Sequence, residues 1–191
     1  MLVDIGATPI GAAPIGFQFG RTGQGATGDW RVVGDPSAVA GKAIAQVSPD
    51  RTDYRFPLAI YQPLSARDVE ATVRFKPVGG RVDQAGGIAV RLTSPDDYYV
   101  VRANALENNV RLYRVSQGRR EQIAGIDIPV IGGQWHTLGL RAEADRFTVS
   151  YDGRVLFGAV AGSYADAGHV ALWTKADSMT HFDTIAITPL E

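Results

Sequence analysis

DVEATVRFK, residues 68–76, alternates without a break. Val69, Ala71, Val73 and Phe75 fall on one face, and Asp68, Glu70, Thr72, Arg74 and Lys76 fall on the other. Successive side chains of a strand point to opposite sides, so this period of two is a strand with one buried and one wetted face. RFTVSYD, residues 146–152, repeats the pattern with Phe147, Val149 and Tyr151 inward. GIAVRLTS places Ile88, Val90 and Leu92 on one face, and WHTLGLRAE places Leu138 and Leu140 together. No segment carries a helical apolar stripe of useful length. The nearest candidate, SARDVEATVRF, fits a period of two better.

The punctuation agrees. Asp152-Gly153 is a two-residue hairpin signal, because both positions accept positive φ. Ser94-Pro95-Asp96-Asp97, Asn108-Asn109 and Ser116-Gln117-Gly118 separate further apolar runs. The spacing predicts an antiparallel meander with strands at 86–93, 98–105, 110–115 and 119–123. About a dozen short strands with regular turns make an all-β, two-sheet antiparallel sandwich or a barrel. Residues 1–16 contain Pro-Ile-Gly twice and read as a linker or a surface arm, leaving 17–191 as one β-sandwich domain.

The chain has 191 residues, enough for one domain with a sizeable core. Its formal net charge is −1 and its basic residues are scattered, so the footprint of a nucleic-acid binder is missing. No apolar run is long enough for a membrane-spanning helix, and the first twenty residues lack the basic and apolar regions of a secretory signal. The absence of cysteine excludes disulfides, thiolate nucleophiles and Cys-ligated metals. His136, His169 and His181 show no metal-ligand spacing and read as satisfied strand or turn histidines. There is no G-x-S-x-G nucleophile elbow.

Polar residues on strands are the more informative signal. Arg102 and Asn104 share a face with Tyr98 and Val100, and Arg111 shares one with Tyr113. If that face is open, it offers guanidinium, amide and phenol groups that suit a sugar. The alternative is an ordinary solvated sheet face. Trp173 lies off the face of Val170 and Leu172, so it is either a second core residue or a stacking platform. Trp30 and Trp135 sit at strand starts, where capping the core is the expected role.

DYYVVRANALENNVRLYRV, GQWHTLGLRAEADRFTVSYDGRVLF and GHVALWTKADSMTHFDTIAI together resemble the concanavalin A-like lectin/glucanase superfamily. Within it they are most similar to the 3-keto-disaccharide hydrolase-like domains, labelled family 16 glycoside hydrolase-like. The resemblance implies a jelly roll with a concave, carbohydrate-facing sheet, a periplasmic or extracellular setting, and an oligosaccharide or glycoside as partner. Arg102, Asn104, Trp173, Lys175 and Asp177 match recurrent positions, with Tyr113 as a further aromatic contact. Asp183 matches a position that holds a structural calcium in some relatives; no cofactor is otherwise required. EADRFT begins like the family 16 E-x-D-x-x-E signature, but Thr148 replaces its last Glu and Glu143–Arg146 read as a hairpin turn.

The leading expectation is therefore sugar binding by Arg102, Asn104, Tyr113, Trp173, Lys175 and Asp177. A first alternative is a hydrolase or lyase acting on a 3-keto sugar, with Asp177 or His181 as base and Lys175 as polarising cation. A second is a laminin-G-like interaction module with a flat apolar rim.

Overall fold

The computed structural model describes residues 1–162 and 166–190, and among them are fourteen strands and no helix. The first sheet runs in the order β1 (Phe17–Gly23), β4 (Arg55–Ala66), β13 (Gly168–Thr174), β6 (Ala85–Ser94), β7 (Asp97–Asn104), β8 (Asn109–Ser116) and β9 (Arg119–Asp127). The second runs β12 (Arg154–Val160), β11 (Arg146–Tyr151), β10 (His136–Glu143), β5 (Val69–Gly79), β14 (Met179–Pro189), β3 (Lys42–Gln46) and β2 (Trp30–Gly34). All neighbouring strands are antiparallel, and the two sheets form a jelly-roll sandwich.

The alternating residues of β5 meet those of β7, β8 and β13 between the sheets. Val69, Ala71, Val73 and Phe75 pack in one cluster with Tyr99, Val101, Leu112, Val170 and Leu172. The β6–β9 meander lies where the turn signals put it. Asp152 and Gly153 both adopt positive φ, 47° and 77°, as a tight hairpin matching strand twist requires. Glu143 and Arg146 face each other across the β10–β11 turn, and Glu143 pairs with Arg141 at 2.9 Å. EADRFT is thus a hairpin, as its alternating flanks predict.

Two expectations change. Leu92 leaves the face of Ile88 and Val90 because the β6 register shifts, with Arg91 at φ 51°. A bulge of this kind moves every later side chain to the opposite face, and Leu92 joins a second apolar cluster. Trp135 does not cap the core. It lies half-buried on the outer face of the second sheet, with Arg74 4.5 Å and Lys76 5.0 Å from its ring and Nε1 donating to Ser37 Oγ. Trp30 is buried beside Phe182.

Residues 1–16 pack on the sandwich. Leu2 bridges Ala186, the Val3 amide donates to the Ile185 carbonyl at 2.9 Å, and Val3 and Ile5 are buried. The arm thereby continues the row of β3 alongside β14.

Candidate functional site

The outer face of the first sheet is rolled into a trough. The Tyr54 hydroxyl, just before β4, donates to the Gly118 carbonyl and accepts the Arg120 amide, both at 3.0 Å. In a flat sheet, β4 and β8 are four strand spacings apart, roughly 19 Å. Contact across that span requires strong curvature, so this face is concave.

Its apolar half closes into a second core of Phe56, Leu58, Ala89, Tyr98, Val100, Val115, Ala171 and Trp173. Trp173 stacks on Phe56 with centroids 5.3 Å apart. Its Nε1 donates to the Tyr98 hydroxyl at 3.2 Å. Tyr98 then donates to Thr22 Oγ1 at 2.6 Å, which donates to the Pro95 carbonyl at 2.6 Å. Each side-chain polar atom of this Trp173–Tyr98–Thr22 relay has a partner, as burial demands. Burial also pushes the Tyr98 hydroxyl pKa well above its ordinary value.

The other half is polar and consists of two joined networks. In the first, Arg102 donates to Asn109 Oδ1, to Glu107 Oε2 at 2.8 Å and to the Tyr113 hydroxyl at 3.1 Å. Its stem crosses Gly87, where a Cβ would stand 2.6 Å from the Val101 carbonyl and 3.0 Å from Arg102 Cβ, so a side chain there would disturb this row. Burial opposes ionisation of Glu107. The Arg102 charge, with hydrogen bonds from Asn109 and Arg102, outweighs it and holds the carboxyl below its usual range.

In the second network, Lys175 pairs with Asp83 at 2.9 Å and Asp53 at 3.1 Å, while Asn104 donates to the other Asp83 oxygen. Burial pulls the Lys175 pKa down, but its hydrogen bond and charge contact with Asp83, then those with Asp53, raise it overall. Asn104 Oδ1 also accepts the Leu106 amide at 2.9 Å and the Glu107 amide at 3.3 Å, which folds the β7–β8 turn and presents Glu107. Arg55 holds Lys175 at the end of β13 by donating to the Ala176 carbonyl at 2.7 Å.

Four of the six residues expected to bind sugar, Arg102, Asn104, Tyr113 and Lys175, meet in this half. The other two do not serve as expected. Trp173 is fully buried, so it is a core residue and not an accessible stacking platform. Asp177 accepts the amides of Arg81 and Val82 at 2.9 Å and of Asp83 at 3.2 Å. Burial alone would raise its pKa, but these amides lower it. A carboxylate so stabilised is a poor base, and its work is to hold the 80–83 turn. Gly80 permits that turn, because a Cβ at its φ of 141° would collide with the Asp83 carbonyl.

The proposed catalytic trio is therefore not assembled. His181 lies on β14 in the second sheet, with Nδ1 2.7 Å from Asp35 Oδ2. Asp183 does not fit calcium. Its Oδ2 accepts from Arg74 Nη1 at 2.6 Å and from the Val39 amide at 2.9 Å, so a guanidinium already neutralises this carboxylate. Calcium needs six to eight oxygen ligands, and the described residues contain no group of three acidic or histidine side chains able to hold a metal.

Sequence reading missed Asp53, Asp83, Glu107 and Asn109. Glu107 and Asn109 carried a usable signal, since they flank Asn108 in a turn next to Arg102. Asp53 and Asp83 carried none, because long-range packing brings them to Lys175.

No protein-family model matches the chain, and no curated protein does. Solved structures do. Carbohydrate-binding module CBM66 from Bacillus subtilis superposes with TM-score 0.68 at 20% identity, covering 88% of this chain and 94% of its own. The β-glucanase of Bacillus licheniformis gives 0.61 at 12% identity over 96% of this chain and 97% of its own. The galectin LEC-6 of Caenorhabditis elegans gives 0.51 at 15% identity over 64% and 84%. Two seven-stranded antiparallel sheets, one rolled into a trough, and these neighbours lead to one conclusion: the chain has the concanavalin A-like lectin/glucanase fold.

Proposed function

We propose that the protein binds a carbohydrate in the polar half of its concave face. The observation that carries this reading is the pre-assembled pair of networks, Arg102–Glu107–Asn109–Tyr113 and Lys175–Asp83–Asn104, on that face. Sugar hydroxyls both donate and accept, and fixed charged groups bond them without reorganising on binding. Asp53 and Glu107 keep much of their side chains in solvent, so ligand can reach them, while Lys175, itself anchored by Asp83, and Arg102 hold them in place. That the fold neighbours include a carbohydrate-binding module, a galectin and a β-glucanase supports the same reading. A polar rim of this kind is unlike the flat apolar rim of an interaction module.

The test is calorimetric titration of the chain with a panel of neutral and acidic oligosaccharides. Binding of at least one is expected, and Glu107→Gln should weaken it about tenfold, the loss of a charge-assisted hydrogen bond. Failure of every glycan to bind, or unchanged affinity in both Glu107→Gln and Lys175→Met, would remove the site.

A further inference from the structure

We infer that the glycan taken by this face is an acidic one, and that Arg120 receives its anionic group. This rests on the carbohydrate reading and narrows it.

Arg120 reaches over the trough from the start of β9. Its guanidinium lies 4.8 Å from the Phe56 ring centroid and 4.3 Å from that of Tyr113. Tyr113 has Arg102 near its ring as well, at 5.6 Å. The other cations of the face each have a carboxylate: Lys175 has Asp83 and Asp53, Arg102 has Glu107, and Arg111 has Asp127. Arg120 forms no ion pair among the described residues, and its Nη1 is enclosed without a hydrogen-bond partner.

With its central carbon over both rings, the guanidinium gives part of its surface to π contacts. Its N–H donors lie in the plane and point sideways, the fork that a carboxylate or sulfate accepts in pairs. A half-buried cation without a counter-ion also feels an anion more strongly than one in water does. A neutral sugar would leave that charge uncompensated.

The experiment is calorimetric titration of the full chain with oligogalacturonate, its methyl ester, a sulfated galactan oligosaccharide and neutral galactan. The acid should bind at least about tenfold tighter than its ester, or the sulfated galactan by the same margin over neutral galactan. Which pair shows the preference identifies the anion as carboxylate or sulfate. Arg120→Met keeps an apolar stem between the rings and should abolish the preference, whereas Arg120→Lys should retain part of it. Equal binding of charged and neutral partners would overturn the inference while leaving the carbohydrate reading intact, as would a preference that survives Arg120→Met. Binding of no glycan would overturn both. The comparison of acid with ester needs no variant, so the inference stays open to refutation even if Arg120→Met fails to fold.

Discussion

The two sheets have outer faces built from the same alternating pattern, and they do opposite things. On β5 the outward residues Glu70, Thr72, Arg74 and Lys76 stay near solvent and form a lattice of charge pairs: Arg141 with Glu70, Arg74 with Asp183, and Lys76 with Asp35. On β7 the outward residues Tyr98, Val100, Arg102 and Asn104 are all buried. The difference is curvature. The first sheet curls until Tyr54 touches the β8–β9 turn, and a face that would be wet on a flat sheet becomes half core and half enclosed polar network. Alternation therefore reports which residues share a face, not how much water that face meets.

The largest expected contrast is between two tryptophans. Trp173→Ala empties the second core and should cost about 3–5 kcal/mol. Trp135→Ala removes a half-exposed ring with two cation contacts and should cost about 1 kcal/mol or less. Chemical denaturation of both variants measures it, and equal losses would break the distinction between the faces.

Next come the charges. Asp83→Asn removes the buried partner of Lys175 and should cost about 1–3 kcal/mol. It should also weaken glycan binding, since Lys175 loses its anchor.

Acid probes the carboxylates one by one. Asp50, which accepts the amides of Ala26 and Thr52, is lowered from 3.8 to about 2. A carboxyl lowered by folding contributes its full stability above its unfolded pKa and loses it as pH falls through its folded one. Stability should therefore fall between pH 3.8 and about 2, and Asp50→Asn should flatten that slope. On the second sheet, burial alone would raise the Asp35 pKa. Hydrogen bonds from Lys76, Ser37 and His181 prevail and lower it, so Asp35 acts in the same direction. A slope unchanged in Asp50→Asn would assign the whole acid response to other carboxyls.

The smallest effect is expected on the open face. Glu143→Gln breaks an exposed pair with Arg141 and should change stability by about 0.5 kcal/mol or less, with no effect on glycan binding. Weakened glycan binding in this variant would bring the EADRFT hairpin into the site.

Much of the fold was legible because its signals are local. Period two in 68–76 and 146–152, positive-φ turn residues at 108, 117–118 and 152–153, and the lack of a helical stripe specify strands and hairpins from neighbouring residues alone. The site was half legible for the same reason. Arg102, Asn104 and Tyr113 share a face by spacing, and Lys175 follows its strand. The rest depends on contacts that spacing does not encode. Trp173 reads equally as platform or core until the curl of the sheet covers it. Asp177 reads as a base until three amides from residues 81–83 close on it. Asp83 becomes a site residue because folding carries the 80–84 turn to Lys175 and Asn104. Sequence by itself determined the strands, most of their faces and an all-β sandwich or barrel, since these follow from side-chain alternation and turn chemistry. The tertiary structure alone decided which outward face is wet and which polar residues meet, because curvature and long-range packing set both.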